Sequence, residues 1–250
     1  MIAAEIPAMT PRMSIQTMRP LRAARALREL FANPDDTQQV FEIIDAMQGP
    51  ALVRMRRRLQ QSEQGRRLLA EQPNLIPLLS DREQLRALPD GSLGREYLAF
   101  VEAEGISADG LVEASDISRQ RDEASELRWI RNWLRDSHDL WHAVLGYEGD
   151  LIGEAALLAF SHYQTRNIGV GIIATMAWFK IGRVTERQLG ARDVIFDGRR
   201  RSKGSAWFLD VPWHRWLARP VDEVRRDLGV ERLARYRPVR SHEVNVSFVA

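Results

Sequence analysis

From His138 to Leu158 the chain is largely apolar, yet His138, Asp139, His142 and Glu154 are embedded in its two apolar runs. The segment reads His138-Asp139-Leu140-Trp141-His142, then eleven residues, then Glu154. Two histidines at i and i+4 lie one above the other on a helix face, and Asp139 is i, i+3 to His142. Gly146, Glu148 and Gly149 interrupt the apolar pattern, which resumes at Leu151. A tight turn over 146–149 makes the flanking helices an antiparallel pair. His142 then sits about one turn before the turn and Glu154 about one turn after it, so Glu154 faces the histidines. Two imidazoles with one or two carboxylates form a ligand set for zinc or a similar divalent ion; with open positions the same set suits non-haem iron. A histidine pair at helical spacing also occurs on ordinary exposed helices. Here Leu140, Trp141, Val144, Leu145, Leu151, Ile152, Ala155, Ala156 and Leu158 require burial of both segments. Burying charge-bearing groups on them is costly unless a partner or metal satisfies them.

The remaining sequence predicts an all-α protein: a single multi-helix domain over 18–250, preceded by an arm at 1–17, with the metal site on an antiparallel helix pair. Pro20 starts a helix reaching about Phe31. Asn33-Pro34-Asp35-Asp36 restarts the pattern for a stripe of Val40, Phe41, Ile44 and Met47, which Gly49-Pro50 ends. Short arginine-rich amphipathic helices follow over 51–60 and 62–71. Ser80-x-x-Glu83 reads as a capping box, Pro89-Asp90-Gly91 as a turn, and Leu93–Val101 as a helix ending near Gly105. Residues 105–122 read as a short helix and a connector. One long helix is expected from Ala124 to Leu145, with the metal motif in its last turns. Helices over Asp150–Thr165 and Gly169–Leu189 come next, then a helix or turn from Ala191 to about Arg200. A helix over Val221–Leu228 is closed by Gly229. The tail Val244–Val249 alternates as a short strand does.

The absence of cysteine excludes disulfides, thiolate ligands and cysteine catalysis. A net charge of +2 gives no mandate for nucleic-acid binding, although the pI is about 9.3. The basic residues are nearly all arginine, Lys180 and Lys203 being the only lysines. Arginines cluster at Arg54 with Arg56–Arg58, at Arg66-Arg67, and at Arg199–Arg201 with Lys203. Such runs are usually solvated helix faces, and they also suit anionic head groups or a carboxylate-bearing substrate. Residues 1–17 lack the apolar core of a secretory signal, and the longest apolar run, Ile168–Phe179, falls short of the ~20 residues of a spanning helix. Trp178-Phe179 beside Lys180 suits a membrane interface. His162, two turns beyond Glu154, reads as a core or groove residue, with a ligand role as the alternative. Ser137 beside His138 has no third partner for a triad.

The stretch His138–Glu154 resembles the HDxxH-x11-E motif of the coenzyme Q biosynthesis protein 4 family, with all four motif residues at that spacing. Gly65-Arg66-Arg67-Leu68-Leu69 with Pro73 is similar to the family's GRxLL…P segment. Leu88-Pro89 through Gly94 and Tyr97 is similar to its LPxGxLGxxY segment. Asp210-Val211-Pro212-Trp213, and Arg219-Pro220 through Leu228-Gly229, are similar to its carboxy-terminal part. The resemblance covers most of residues 20–230. It implies a zinc site on His138, Asp139, His142 and Glu154, with Asp139 as a ligand or an outer-shell base and iron as the alternative ion. It implies metal-dependent decarboxylation of a polyprenylated 4-hydroxybenzoate-derived ring in ubiquinone synthesis, coupled to hydroxylation at the same carbon. The partners it implies are that aromatic acid, other ubiquinone biosynthesis proteins, an anionic membrane surface and a second copy of the chain. The expected location is cytoplasmic and peripheral on the inner membrane, or the matrix face of the mitochondrial inner membrane in a eukaryote. A non-catalytic prenyl-lipid-binding scaffold is the first alternative. A metallohydrolase is the second, because HDxxH resembles HExxH. The compact spacing to Glu154 suits a helical hairpin better than a protease.

Overall fold

Proline at a helix start loses nothing by lacking an N–H, and the first helix opens on Pro20. The computed structural model describes residues 17–33, 36–106, 125–233 and 236–240, with residues 181–189 as helical backbone only. Among them the helices are α1 (Pro20–Ala32), α2 (Thr37–Ala46), α3 (Ala51–Leu59), α4 (Glu63–Glu71), α5 (Ile76–Ser80), α6 (Arg82–Arg86) and α7 (Leu93–Glu104). They continue with α8 (Ser125–Asp136), α9 (His138–Leu145), α10 (Leu151–Thr165), α11 (Ile168–Leu189), α12 (Ala191–Gly204), α13 (Trp213–Trp216) and α14 (Val221–Leu228). A 3-10 turn spans Phe208–Asp210, and the described residues hold no β-strand beyond an isolated antiparallel bridge between Ser92 and Pro220. The all-helical expectation therefore holds. The start of the arm, the connector beyond Ile106 and the tail strand lie outside the described residues.

The core is organised around α10. Its apolar side buries Ile152, Ala155, Ala156, Leu157 and Phe160. Helices α11 and α12 both pack along it. The α10–α12 crossing is close because residue 198 is glycine: a Cβ there would stand 2.1 Å from the Ala156 carbonyl oxygen. The motif helix α9 packs chiefly on α7, with α14 beside it, and touches α10 only briefly. Aromatic rings join α9 to α10 instead. Trp141 meets Phe160 (6.1 Å between centroids) and Phe208 (5.4 Å), and Phe208 meets Trp213 (5.7 Å), all edge to face. Each such pair contributes about 0.5–1.5 kcal/mol beyond its buried area. A second, smaller core lies where α1 and α2 meet α11, through Ala23, Ala26, Leu30, Ile43, Ala46 and Ile173.

Two local expectations are corrected. The single helix expected from Ala124 to Leu145 is broken at Ser137, between α8 and α9. The buried Ser137 hydroxyl donates to the Trp133 carbonyl at 2.7 Å, one turn back, where the backbone N–H of Ser137 already donates at 3.1 Å. A serine bonding back onto its own helix competes with the ladder and bends it. The capping box at Ser80 is displaced by one residue. Asp81 is the cap of α6, its carboxylate accepting from the Gln84 N–H at 2.9 Å, while Ser80 ends α5.

Candidate metal centre

The C-terminal carbonyls of α9 have no partner within the helix, and distant groups reach them. The His142 carbonyl accepts from the N–H of Gly146, whose φ of +78° suits a left-handed cap. Buried Arg225 donates to Ala143 (3.0 Å) and Val144 (2.9 Å). Leu145 accepts from Arg201 (3.0 Å) and from the Leu233 N–H (2.9 Å). With its last turn fixed in this way, α9 holds His138 and His142 on one side. Phe100 of α7 stacks on the His142 ring, 4.8 Å between centroids and 14° between planes.

The turn that leads to Glu154 is fixed as firmly. Asp150 caps α10, accepting from Ile152 N–H (3.1 Å) and Gly153 N–H (3.0 Å). It also accepts from the Val239 N–H (2.7 Å) and the Tyr236 hydroxyl. The Val239 carbonyl in turn accepts from Leu151 N–H, and the Glu148 N–H donates to the Tyr236 oxygen. Glu104 of α7 accepts from Gly149 N–H and pairs with Arg240, whose guanidinium also reaches the Gly149 carbonyl. Burial raises the Glu104 pKa, but the Arg240 and Gly149 bonds bring it below its ordinary value.

Glu154, one turn into α10, meets both histidines. Its carboxylate oxygens lie 3.2 Å from His142 Nε2 and 3.5 Å from His138 Nε2, and the two Nε2 atoms are 3.3 Å apart. Ligand atoms bound at about 2.1 Å around a tetrahedral ion are separated by about 3.4 Å. One donor atom from each of the three residues lies within 4.8 Å of the others, so a small closure brings the trio to the dimensions of a zinc-sized ion. The tautomer agrees. His142 Nδ1 lies 3.0 Å from the Tyr147 carbonyl, which can only accept, so Nδ1 carries the proton. In the neutral ring Nε2 therefore presents a lone pair to the site, as a metal-ligating histidine does. His142 is fully buried, whereas the side chains of His138 (27%) and Glu154 (44%) keep some exposure, so the trio is reachable from one side.

Electrostatics couple the three. Burial opposes charging His142, but the facing Glu154 charge and its hydrogen bond, together with Asp139, raise the imidazole pKa above its usual value. Burial pulls the Glu154 carboxyl upward. The His142 charge and the hydrogen bonds from both histidines outweigh it and hold the carboxyl far below the usual range. Asp139 goes the other way: burial raises its pKa against the attraction of both histidines.

A family model described as "Coenzyme Q (ubiquinone) biosynthesis protein Coq4" matches residues 12–234. The chain belongs to the Coq4 family. Among curated relatives, the mitochondrial ubiquinone biosynthesis protein COQ4 of Yarrowia lipolytica is 30% identical over 187 residues, covering 72% of this chain and 66% of that protein. That of Scheffersomyces stipitis is 29% identical over 184 residues, covering 73% and 55%. The Danio rerio homolog is 28% identical over 180 residues, covering 72% and 64%. The chain thus spans little more than half to two thirds of the length of these relatives. A crystal structure from Nostoc punctiforme PCC 73102 shares the fold at a TM-score of 0.65 and 20% identity, covering 86% of this chain and 100% of that one.

Of the motif residues in this Coq4-family chain, His138, His142 and Glu154 bring their donor atoms within 4.8 Å of one another. Asp139 is not in that group. It stands beside it on α9, buried, and acts on it through its charge. His162 is apart as well, its Nδ1 2.8 Å from the Asn167 carbonyl, as a groove histidine would be. Phe100, Asp150, Arg225, Tyr236 and Arg240 support the site without being singled out in the sequence, and Arg201 stands there only within an arginine run. Asp150 alone carried a local signal, an acid preceding an apolar helical run. The others act across tens of residues.

Proposed function

We propose that this chain serves ubiquinone biosynthesis as a metal-dependent enzyme that removes the carboxylate from a polyprenylated 4-hydroxybenzoate-derived ring. A bound divalent ion supplies a Lewis acid for a carboxylate or phenolate oxygen. His138, His142 and Glu154 hold that ion. The Tyr147 carbonyl keeps the proton on His142 Nδ1 and so keeps Nε2 available, and Asp139 is the outer-sphere base beside it. In the reaction the bond from ring to carboxylate breaks and carbon dioxide leaves. Its electron pair stays on the ring carbon, which takes a proton. In the oxidative version that carbon bonds to dioxygen instead, the O–O bond breaks, and the second oxygen leaves as water as the 4-hydroxy ring passes to the quinone. Zinc is the ion this reading favours, with iron suited to the oxidative version. Other enzymes of the pathway and the bilayer that dissolves the substrate are the partners it implies.

The observation that carries the reading is a pair of histidine nitrogens 3.3 Å apart, each 3.2–3.5 Å from a different oxygen of the Glu154 carboxylate, in a group that remains open on one side. Structural zinc sites are closed, while catalytic ones keep a position free. The test is metal analysis of the purified chain together with rescue of a ubiquinone-deficient strain by wild type and by His142→Ala. The variant is expected to lose at least about a hundredfold in ion affinity and to accumulate the carboxylated ring precursor, since removing even a supporting group around a metal costs about 10–100-fold. Normal quinone levels from a metal-depleted His142→Ala chain overturn the catalytic assignment. Accumulation of every earlier intermediate as well selects the scaffold instead.

A further inference from the structure

The far end of α10 lies about 18 Å from Glu154 at 1.5 Å of rise per residue, and it gathers four cations. Arg166 caps the helix with a φ of +54°, a left-handed conformation that residues with a Cβ avoid. Four other helices of this chain fill that position with Gly105, Gly146, Gly190 or Gly229, and α4 fills it with the uncharged Gln72. A backbone outlier retained at a charged residue points to a use for the side chain. The Arg166 guanidinium lies 4.1 Å over the Tyr163 ring, and Lys203 Nζ, from the end of α12, stands 6.0 Å from the same ring. Arg54 donates to the Arg166 carbonyl at 3.0 Å. Arg58 rests 4.3 Å over Trp207, and burial and then the Arg166 charge hold its pKa below the ordinary value. All four cations are exposed, and among the described residues none forms a salt bridge. The carboxylate that faces Arg58 is Asp210, which already accepts from the Ser62 hydroxyl at 3.0 Å.

Cations are ordinarily welcome at helix C-termini, where the macrodipole amounts to roughly half a negative charge and fades within a turn. The ends of α10 and α12 therefore leave most of four full charges unbalanced. The rings hold the side chains together and do not neutralise them. We infer that Arg54, Arg58, Arg166 and Lys203 form a phosphate-binding site, for the head group of an anionic lipid or for a soluble phosphate ester. Guanidinium forks and an ammonium supply charge-assisted bonds to phosphate oxygens. Exposed Ile168 (42%) beside Arg166, and exposed Phe196 (59%) on the same face of α12 as Arg199 and Lys203, suit the lipid source.

The test compares the full chain with the pair Arg166→Gly and Lys203→Gln, and with a charge-matched control pair, Arg28→Gln and Arg226→Gln. Arg166→Gly relieves the left-handed backbone, so the variant folds, and a circular-dichroism melt checks this. The probes are inorganic pyrophosphate and phosphatidylcholine vesicles with and without phosphatidylglycerol, at low and high salt. The site pair is expected to bind at least tenfold more weakly than wild type, with the control pair within twofold. Vesicle binding that needs phosphatidylglycerol, without pyrophosphate binding, supports the site with lipid as its source. Pyrophosphate binding without vesicle binding supports it with a soluble source. Equal losses in both pairs, or no binding of either probe by wild type at low salt, overturn the inference.

Discussion

At its start, α10 hangs from Asp150, a buried carboxylate whose oxygens accept from Ile152, Gly153, Tyr236 and Val239. At its finish it stops on exposed Arg166 in a strained conformation, among cations that form no salt bridge within the described residues. One helix thus has an end where every fixed group is matched and an end where charge is left over. The matched end holds Glu154, the acid of the candidate metal trio, in place one turn from the cap. Three approaching ligand atoms tolerate little positional error, because a shift of about 1 Å at a reacting centre costs about a hundredfold. The unmatched end faces outward and needs only to remain charged and reachable.

The largest effect expected at the matched end comes from Asp150→Ala. It removes a cap, worth about 1 kcal/mol, and strands the Tyr236 hydroxyl and the Val239 N–H, at about 1–3 kcal/mol for each buried group left unpaired. Chemical denaturation should show a loss of about 3 kcal/mol or more. A loss below about 1 kcal/mol means that the segment 236–240 does not brace the turn.

A smaller effect separates charge from shape within the trio. In the metal-free protein the lowered Glu154 pKa contributes stability that is present above its unfolded value of 4.5 and is lost as pH falls toward the folded value. The raised His142 pKa contributes stability that is complete below its unfolded value of 6.5 and is lost as pH rises through the folded value. Wild type should therefore exceed Glu154→Gln in melting temperature most clearly between about pH 5 and 6.5 and lose that lead on both sides. Divalent-ion affinity should rise with pH across the same window, because the ion competes with the His142 Nε2 proton. A melting difference that is flat with pH removes the His142–Glu154 charge pair from the account.

The smallest effects set the two kinds of left-handed cap against each other. Gly146→Ala introduces a Cβ 3.2 Å from the Leu233 backbone nitrogen at a φ of +78°. It should cost about 1–2 kcal/mol. Arg166→Gly removes strain but loosens the unfolded chain, and it should stay within about 1 kcal/mol of wild type. Equal destabilisation by both changes would show that Arg166 carries packing as well as charge.

Much of this was readable in the sequence, and the exceptions share a cause. Helix periods, Pro20, Gly229 and the spacing from His142 to Glu154 are local signals, and they lead to the helices and to the His138–His142–Glu154 trio. The break at Ser137 was missed because a hydroxyl bonding back to Trp133 has no signature in the apolar stripe, which continues on both sides. Asp139 is i, i+3 to His142, which puts it on the same side of the helix, yet spacing alone does not say whether its carboxylate enters the shared site or stands beside it. Nothing in the sequence marks Arg225, and Arg201 reads as part of a solvated run. Their partners are backbone carbonyls 81 and 56 residues away, and only the folded chain brings them together.

Gly198 is remote from the chemistry, yet it sets a tolerance for it. Its hydrogen takes the room that a methyl would need against the Ala156 carbonyl, two residues along α10 from Glu154. Any side chain at 198 would have to drive the two helix axes apart by about an ångström to restore ordinary contact. Because α10 is stiff over so short a span, much of that displacement would be passed to the Glu154 carboxylate. The gauge of the candidate metal centre is thus cut partly on another helix, by the smallest residue available.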